Sequence, residues 1–312
     1  MAEIWAHNSW YSFLRPYVDA CTRASYRSLK IKGRLPQDGA VIIAPNHTNA
    51  LMDALVVLQT RRGETVFGAR ADIFRQSTAA KVLRFLRILP MTRERDGLHS
   101  VVDNYRTFEE VEGTLQAGVP FCIFPEGRHH TERTVLPITK GIARMALRSA
   151  ASRKTYIVPT GINLSHFFRY RSACELEFGD PIDINGLVAA HPELSEQQLY
   201  LTIREELHHR LEKLVKPEPI ANPKGWRWAL LPLWPLAAIL SLPVWGTAEL
   251  VCHKIPDPAF NNTARFGARL LLGPVTFLIW ALVFFLTLPW WAAVGLLLLY
   301  IPSYSLFYDF LT

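Results

Sequence analysis

The chain has 312 residues, half of them hydrophobic and a fifth charged, and its formal charge is +7. This composition excludes a disordered protein and a coiled coil, and the length is sufficient for a sizeable buried core. The tryptophans are unevenly distributed, since seven of the nine lie between Trp226 and Trp291. Charged residues become rare over the same stretch. The sequence therefore predicts a charged globular part followed by an apolar C-terminal part.

The cysteines and the positive charge exclude several classes of protein. The four cysteines are scattered, with no Cys-x-x-Cys pair and no histidine at a zinc-binding spacing. We therefore expect reduced thiols, no disulfide framework and no structural metal site. No basic motif is interleaved with aromatic residues, so we expect no nucleic-acid partner, and an anionic membrane surface accounts for a basic domain.

The N-terminal segment, residues 1–27, is predicted to be an amphipathic helix. A helix lying on a bilayer and a helix packed on the globular domain both show this pattern, and the apolar C-terminal part favours the first. Tryptophan and tyrosine are prominent among its apolar positions, which are Ile4, Trp5, Trp10, Phe13, Leu14, Tyr17 and Val18.

Residues 28–217 are predicted to form an α/β domain. Strands alternate with helices, which predicts a mainly parallel sheet flanked by helices. Gly118 is expected to end the clearest amphipathic helix. The predicted strands are 29–32, 41–44, 65–68, 88–91, 121–124, 156–162 and 175–178, and the predicted helices are 50–59, 78–86, 100–117, 141–151 and 195–216.

A proline-containing linker, 218–227, leads into a predicted membrane domain at 228–312. Residues 228–248 carry no charge and are long enough to span a bilayer, although three prolines predict a kinked or partly re-entrant helix. A second uncharged run, 270–308, is divided by Pro289. We therefore expect two to three transmembrane or re-entrant helices. Lysine and arginine are dense before the first of them, which predicts that the α/β domain lies on the cytoplasmic face.

The string APNHTNALMD contains the first candidate catalytic residues. His47 follows a predicted buried strand, and α/β sheets place their sites at strand ends. A neutral imidazole is a suitable base near neutral pH, and Asp53 on its far nitrogen would fix the tautomer. Asn49 is expected to cap the helix that carries Asp53. Because no Gly-x-Ser-x-Gly motif or catalytic-cysteine setting is present, the expected nucleophile is a substrate hydroxyl, and a purely structural histidine is the alternative.

Two further strings, RILPMTRERDG and FPEGRHHTERT, place arginines after predicted strands. Guanidinium groups at neighbouring strand ends are expected to clamp a phosphate. The glutamate of the second string would orient an arginine or accept from a substrate hydroxyl, and its glycine permits a tight turn. A lysine at the start of the next helix marks a further anion site. The candidates are Arg93, Arg95, Glu126, Gly127, Arg128, His130, Arg133 and Lys140.

Together with IVPTGIN, these strings occur in the order that resembles the glycerolipid acyltransferase family, which includes the 1-acylglycerol-3-phosphate acyltransferases. The resemblance covers roughly residues 28–185. It implies that His47 is the general base with Asp53 as its partner, and that Arg93 and an arginine of the FPEG block bind phosphate. Asn46 is a further candidate for substrate binding. The family transfers an acyl chain from acyl-CoA or acyl carrier protein to a glycerolipid hydroxyl, without a metal or cofactor.

The sequence departs from the family pattern twice. Five residues separate His47 from Asp53 instead of four, and one extra helical residue rotates a side chain by about 100°. The turn before the helix must absorb that residue for the pair to form. The FPEG block is also altered, and both departures resemble the glycerol-3-phosphate/dihydroxyacetone-phosphate acyltransferase branch. Arg128 and Arg133 both remain candidates for the phosphate ligand, and Arg133 matches that branch better.

The resemblance implies an integral membrane enzyme whose partners are membrane lipids, an acyl-thioester donor and a lysophospholipid or glycerol phosphate acceptor. The first expected reaction converts 1-acylglycerol 3-phosphate to phosphatidic acid. The second uses glycerol 3-phosphate or dihydroxyacetone phosphate, and the third uses another lysolipid. Two alternatives are a non-catalytic lipid-phosphate binding or scaffolding protein, which the longer spacer supports, and a lipid hydrolase.

Overall fold

A computed structural model describes residues 3–60, 64–91, 99–223 and 227–311. Its α/β part contains one eight-stranded sheet with the order β1-β7-β6-β2-β5-β3-β4, and β8 also pairs with β6. Neighbouring strands are parallel except where β6 pairs with β7 and β8. This confirms the predicted mainly parallel sheet. The strands are β1 (Ser28–Lys32), β2 (Ala40–Pro45), β3 (Val66–Arg70), β4 (Ile88–Met91), β5 (Phe121–Cys122), β6 (Thr155–Leu164), β7 (Ala173–Phe178) and β8 (Ile182–Asp183).

Helices flank this sheet and follow it at the C-terminus. They are α1 (Ser9–Ser25), α2 (Ala50–Leu58), α3 (Ser77–Phe85), α4 (His99–Gln116), α5 (Lys140–Ala150), α6 (Ile184–Ala190), α7 (Glu196–Leu214), α8 (Trp234–Lys254), α9 (Asn261–Thr287) and α10 (Trp290–Leu311). Gly118 follows α4 with a φ of +75°, as its predicted role requires. The short elements β8 and α6 were not predicted, because two and seven residues carry too little periodicity.

Both faces of the sheet are buried, and successive side chains of each strand reach opposite faces. All six residues of β2 are buried. Ile42 packs into one core with residues of α4, α5 and α7, whereas Ile43 packs into a second core with residues of α1 and α2. Phe266 of α9 also lies in the second core. The C-terminal helices therefore pack directly on one face of the α/β domain.

Three C-terminal helical stretches are long and apolar enough to cross a membrane, as predicted: Trp228–Lys254, Pro258–Thr287 and Trp290–Leu311. α9 and α10 run antiparallel to each other. Tyr304 Oη donates to the Arg265 carbonyl oxygen at 2.8 Å, and Tyr300 Oη donates to the Gly273 carbonyl oxygen at 2.8 Å. The end of α10 is attached to the α/β domain, because the Asp309 carboxylate receives two hydrogen bonds of 3.0 Å from Arg171.

The first helix, α1, has an exposed aromatic face. Trp10 is 72% exposed and Phe13 is 74% exposed. On its other side Tyr17 Oη donates to the Leu270 carbonyl oxygen of α9 at 2.9 Å. This helix therefore lies beside a membrane-helix candidate and presents aromatic side chains outward.

Candidate active site

His47 and Asp53 meet at the carboxyl end of β2. His47 Nδ1 lies 2.9 Å from Asp53 Oδ2, so the Nδ1–H donates to the carboxylate. The Asp53 side chain is fully buried, whereas the imidazole remains partly accessible. The same Oδ2 accepts from the backbone N–H groups of Thr48 and Asn49, both at 2.7 Å. Three donors therefore hold one carboxylate oxygen in the position that fixes the imidazole tautomer.

The turn before α2 absorbs the extra spacer residue. The helix begins at Ala50, whose φ of +42° lies in the left-handed region that alanine seldom adopts. Asn49 takes the N-cap position, but its side chain makes no capping hydrogen bond. The expectation that Asn49 caps α2 is therefore wrong. The Asp53 carboxylate occupies the two amides that precede the helix, and this local bend brings it to His47.

Asn46, predicted to bind substrate, has its side-chain amide bonded to the backbone of β6. Its side chain is 1% exposed. Asn46 Nδ2 donates to the Ile162 carbonyl oxygen at 3.1 Å, and Asn46 Oδ1 accepts from the Ile162 N–H at 2.6 Å. The residue therefore joins the end of β2 to β6 and holds the adjacent His47 at the sheet edge.

The turn after β5 brings Glu126 against the backbone of His47. Glu126 Oε1 accepts from the His47 N–H, and Oε2 accepts from the Leu136 N–H, both at 3.3 Å. The carboxyl is 5% exposed, and burial raises its pKa to about 7 although both hydrogen bonds act in the opposite direction. Gly127 follows with a φ of +69°, which confirms the predicted tight turn. Glu126 therefore positions the backbone of His47.

His130 lies against the same carboxyl. Its Nε2–H donates to the Thr134 carbonyl oxygen at 2.8 Å, which leaves Nδ1 as the second ring nitrogen. Nδ1 lies 3.1 Å from Glu126 Oε2. The His130 N–H donates to the His47 carbonyl oxygen at 3.1 Å. The backbone at His47 is therefore held on both sides by the FPEG block.

Aromatic rings lie against the His47 imidazole. The His47 ring stacks on the Phe124 ring at a centroid distance of 3.9 Å and an interplanar angle of 19°. The His129 ring meets it edge-on, at 5.8 Å and 84°. His129 Nε2 in turn lies 2.8 Å from Oδ2 of Asp257, which follows α8. A residue of the predicted membrane domain thus reaches the wall of the site.

The candidate anion ligands differ in how far they are exposed. Arg93 and Arg95 lie outside the described residues. Arg128 is exposed, and Lys140 is exposed at the first position of α5. Arg133 is half-buried, with its guanidinium carbon 4.6 Å from the centroid of the Phe167 ring. Burial lowers the pKa of this guanidinium.

The loop between β6 and β7 adds cationic residues that the sequence analysis did not select. His166 lies close enough to Arg169 and Arg133 for both charges to lower its pKa, after the larger effect of burial. Arg133 Nη2 also donates to the Ser165 carbonyl oxygen at 3.4 Å. Since β6 is parallel to β2, this loop and His47 follow the same edge of the sheet. Their position just after a predicted strand could have identified these residues, because α/β sheets place their sites at the carboxyl ends of strands.

Comparison with known proteins matches part of the chain to one family of domains. A family model described as Acyltransferase matches residues 28–163. Glycerol-3-phosphate O-acyltransferase 2 of Saccharomyces cerevisiae is 39% identical over 88 residues, which are 27% of this chain and 12% of that protein. Glycerol-3-phosphate O-acyltransferase 1 of the same yeast is 43% identical over 83 residues, 26% of this chain and 10% of that protein. The matched segments thus span about a tenth of each relative.

A solved structure also aligns with much of the chain. The crystal structure of the 1-acyl-sn-glycerophosphate (LPA) acyltransferase PlsC from Thermotoga maritima covers 66% of this chain and 86% of its own. The sequence identity is 20%, and the TM-score is 0.45.

Proposed function

We propose that the chain is a glycerolipid acyltransferase, which moves a fatty acyl group from a thioester to a hydroxyl of a glycerol phosphate. The donor would be acyl-CoA or acyl carrier protein. The contact of 2.9 Å between His47 Nδ1 and Asp53 Oδ2 is the observation that carries this proposal. With the Nδ1 proton donated to Asp53, Nε2 keeps a lone pair for an acceptor hydroxyl.

The proposed chemistry needs no enzyme nucleophile. Nε2 of His47 takes the hydroxyl proton while the acceptor oxygen attacks the thioester carbonyl carbon. The tetrahedral intermediate collapses, the carbon–sulfur bond breaks, and the departing sulfur takes the proton from the imidazolium. The products are an ester and a free thiol. Asp53 stabilises the imidazolium between these two proton transfers.

Arg133 is the phosphate ligand that the described residues favour. Its guanidinium is half-buried over Phe167, beside the loop that carries His166 and Arg169. A cation that is partly withdrawn from water interacts more strongly with a phosphate than an exposed one. Arg128 is exposed and is the alternative. Arg93 remains a proposed ligand from the resemblance, and Arg95 remains one from its position after a predicted strand.

Glycerol 3-phosphate is the first acceptor that we propose. Its support is the name of the two yeast relatives, both glycerol-3-phosphate O-acyltransferases. The second is 1-acylglycerol 3-phosphate, which would give phosphatidic acid. Its support is the contact of the site with the membrane helices at Asp257, where an acceptor that already carries one acyl chain could keep that chain in lipid.

The reaction is tested by incubating the purified protein in lipid nanodiscs with one labelled acyl-CoA and a panel of glycerol phosphates and lysolipids. Mass spectrometry of the products identifies the acceptor. His47→Ala should lower turnover by about 10²–10⁴-fold, the contribution of a positioned general base, and leave lipid binding nearly intact. His191→Ala is the matched control, because this histidine is exposed and its Nδ1 lies 3.4 Å from the carboxylate of nearby Glu193.

Near-normal turnover in His47→Ala would refute the proposed base. No ester product from any acceptor would favour a lipid-phosphate binding or scaffolding protein, and release of free fatty acid without an acceptor would indicate a hydrolase.

We further propose that the α/β domain, 28–217, lies on the cytoplasmic membrane face between an interfacial segment, 1–27, and a membrane domain, 228–312, joined by the linker 218–227. The exposed aromatic residues of α1 support the first boundary. α9 begins and α10 ends at the α/β domain, so the turn at Pro289 would lie on the far side of the bilayer. A cysteine introduced at 289 should therefore react with an impermeant thiol reagent only from the non-cytoplasmic side.

α8 has a different proposed orientation. Near its start Trp234 Nε1 donates to the Phe307 carbonyl oxygen at 3.3 Å, and near its end Glu249 accepts from Tyr308 Oη at 2.5 Å. Fifteen helical residues extend about 22 Å, yet both contacts involve adjacent residues of α10. Both ends of α8 therefore contact the same end of α10, which supports a re-entrant helix over one that spans the bilayer alongside α10.

A further inference from the structure

We propose that the turn between α8 and α9, residues 255–260, is a wall of the active site, and that His129 and Asp257 are positioning residues for the His47 imidazole. This inference rests on the proposed function, since it concerns the residue that we assign as the general base. It makes the membrane helices part of the catalytic apparatus in addition to an anchor.

The first support is the way in which Asp257 is held. Its Oδ1 accepts from the Ala259 N–H at 3.0 Å within the turn, while Oδ2 lies 2.8 Å from His129 Nε2. The hydrogen bond from His129 is the main cause that lowers the pKa of Asp257, so this carboxyl is ionised at neutral pH. An ionised carboxylate accepts only, and therefore His129 Nε2 carries the proton. The Asp257 carboxylate is therefore held by the α8–α9 turn as well as by His129.

The second support is the contact of His129 with the catalytic ring. The His129 ring meets the His47 ring at 5.8 Å and 84°, and meets the Phe260 ring at 5.4 Å and 90°. Edge-to-face contacts of this kind have a preferred geometry. Phe124 covers the His47 ring by stacking, and Asp53 holds Nδ1. The orientation of His47 thus depends on three neighbours, and one of them is attached to the membrane helices.

A second attachment lies in the first turn of α9. Asn262 is 4% exposed, and its Nδ2 donates to the Phe167 carbonyl oxygen at 2.9 Å. The same nitrogen lies 3.5 Å from Oδ1 of Asn49, whose backbone N–H donates to Asp53. The start of α9 therefore contacts the catalytic turn directly, whereas the α8–α9 turn contacts it through His129. Two contacts at different residues place this segment against the site.

The effect of the pair is tested by steady-state kinetics of Asp257→Asn, His129→Ala and the double variant in nanodiscs. Asparagine keeps an oxygen for the Ala259 amide and removes the charge that aligns His129. Each single variant should lower kcat about tenfold, as expected for a displaced catalytic group, and change KM less than about twofold. The double variant should lose the same factor of about ten, because both residues act through one contact. Asp257→Glu, which retains the carboxylate, should recover part of the loss.

Asp180→Asn is the matched control, since this exposed carboxyl follows β7 and should leave kcat unchanged. Losses that multiply to about 100-fold in the double variant would overturn the shared contact. A kcat equal to that of the unmodified chain in either single variant would overturn the positioning role.

A readout without activity separates this inference from the proposed function. His129→Cys and Asp257→Cys in one chain should be joined by a short bifunctional thiol reagent, because the four native cysteines are buried and react slowly. Linked peptides identified by mass spectrometry support the placement of the turn beside His129, and their absence overturns it. The cysteines of the double variant could become linked while the chain without substitutions transfers no acyl group to any acceptor. That result would refute the proposed function and the catalytic effect of the pair, but the contact between His129 and the turn would stand.

Discussion

Replacing Glu126 by glutamine should remove a pH-dependent part of the protein's stability. The carboxyl is 5% exposed and lies among groups of both charges: Asp53 raises its pKa, Arg128 lowers it, and His130 Nδ1 is 3.1 Å away. Burial dominates and raises the pKa to about 7 from the ordinary 4.5. Glutamine has the shape of the protonated acid and cannot ionise.

The sign follows from proton binding. Between pH 4.5 and pH 7 the folded protein keeps a proton on Glu126 that the unfolded chain has released. The stabilisation that comes from this group is therefore fully present below pH 4.5 and is lost as the pH rises to about 7. A shift of this size corresponds to at most about 3 kcal/mol.

Thermal unfolding in nanodiscs, measured from pH 5 to pH 8, gives the difference in stability between the unmodified chain and Glu126→Gln. We expect the unmodified chain to lose stability relative to the variant as the pH rises, until the difference becomes constant above about pH 7.5. Glu132→Gln removes an exposed carboxyl from the same loop and is the matched control. A difference in stability that stays constant over this pH range, or that changes in the opposite direction, would refute the raised pKa of Glu126.

Two other substitutions give different expectations. Asp53→Asn can place its carbonyl oxygen at the position of Oδ2 and keep all three hydrogen bonds, so kcat should fall by about 10²-fold through loss of charge while the melting temperature changes little. Asp53→Ala removes these hydrogen bonds and should lower both kcat and the melting temperature, so equal melting temperatures for the two variants would contradict this expectation. Asp309→Asn should lower the free energy of unfolding by about 3 kcal/mol, because two arginines lose their buried carboxylate, whereas Asp38→Asn, which breaks an exposed ion pair, should have almost no effect in the same chemical denaturation assay.

The parts of the fold that could be predicted from the sequence are those that depend on local pattern. Strand β2 is a buried apolar run, and it lies within one residue of its predicted bounds at each end. Strand β5 is shorter than predicted: it ends at Cys122, because the chain then leaves the sheet for the turn that carries Glu126. The helices at the C-terminus follow from the long uncharged runs. The sheet order was beyond reach, since it depends on contacts between distant segments.

The pair of His47 and Asp53 shows where periodicity is insufficient. Helical geometry alone would place Asp53 about 100° from the position that a four-residue spacer gives. The structure resolves this at Ala50, which adopts a left-handed conformation, and at Asp53, which bonds to the turn's own amides. Only the resemblance to a family indicated that the pair would meet. The structural position of Asn46 was equally hidden, because its partner Ile162 is 116 residues away.

The rare charges of the apolar part carried a signal that the sequence analysis did not use. An ionisable side chain in a membrane segment is costly unless it is paired, so each one predicts a partner. In the structure, Glu249 pairs with Arg265, whose guanidinium also donates to the Phe168 carbonyl oxygen at 3.0 Å. Three more contact residues that precede the membrane helices: Asp257 contacts His129, Arg269 donates to the Ala24 carbonyl oxygen of α1, and Asp309 pairs with Arg27 and Arg171. Such charges could have predicted that these helices contact the α/β domain, and Asp257 provides one of these contacts at His129, beside the candidate site.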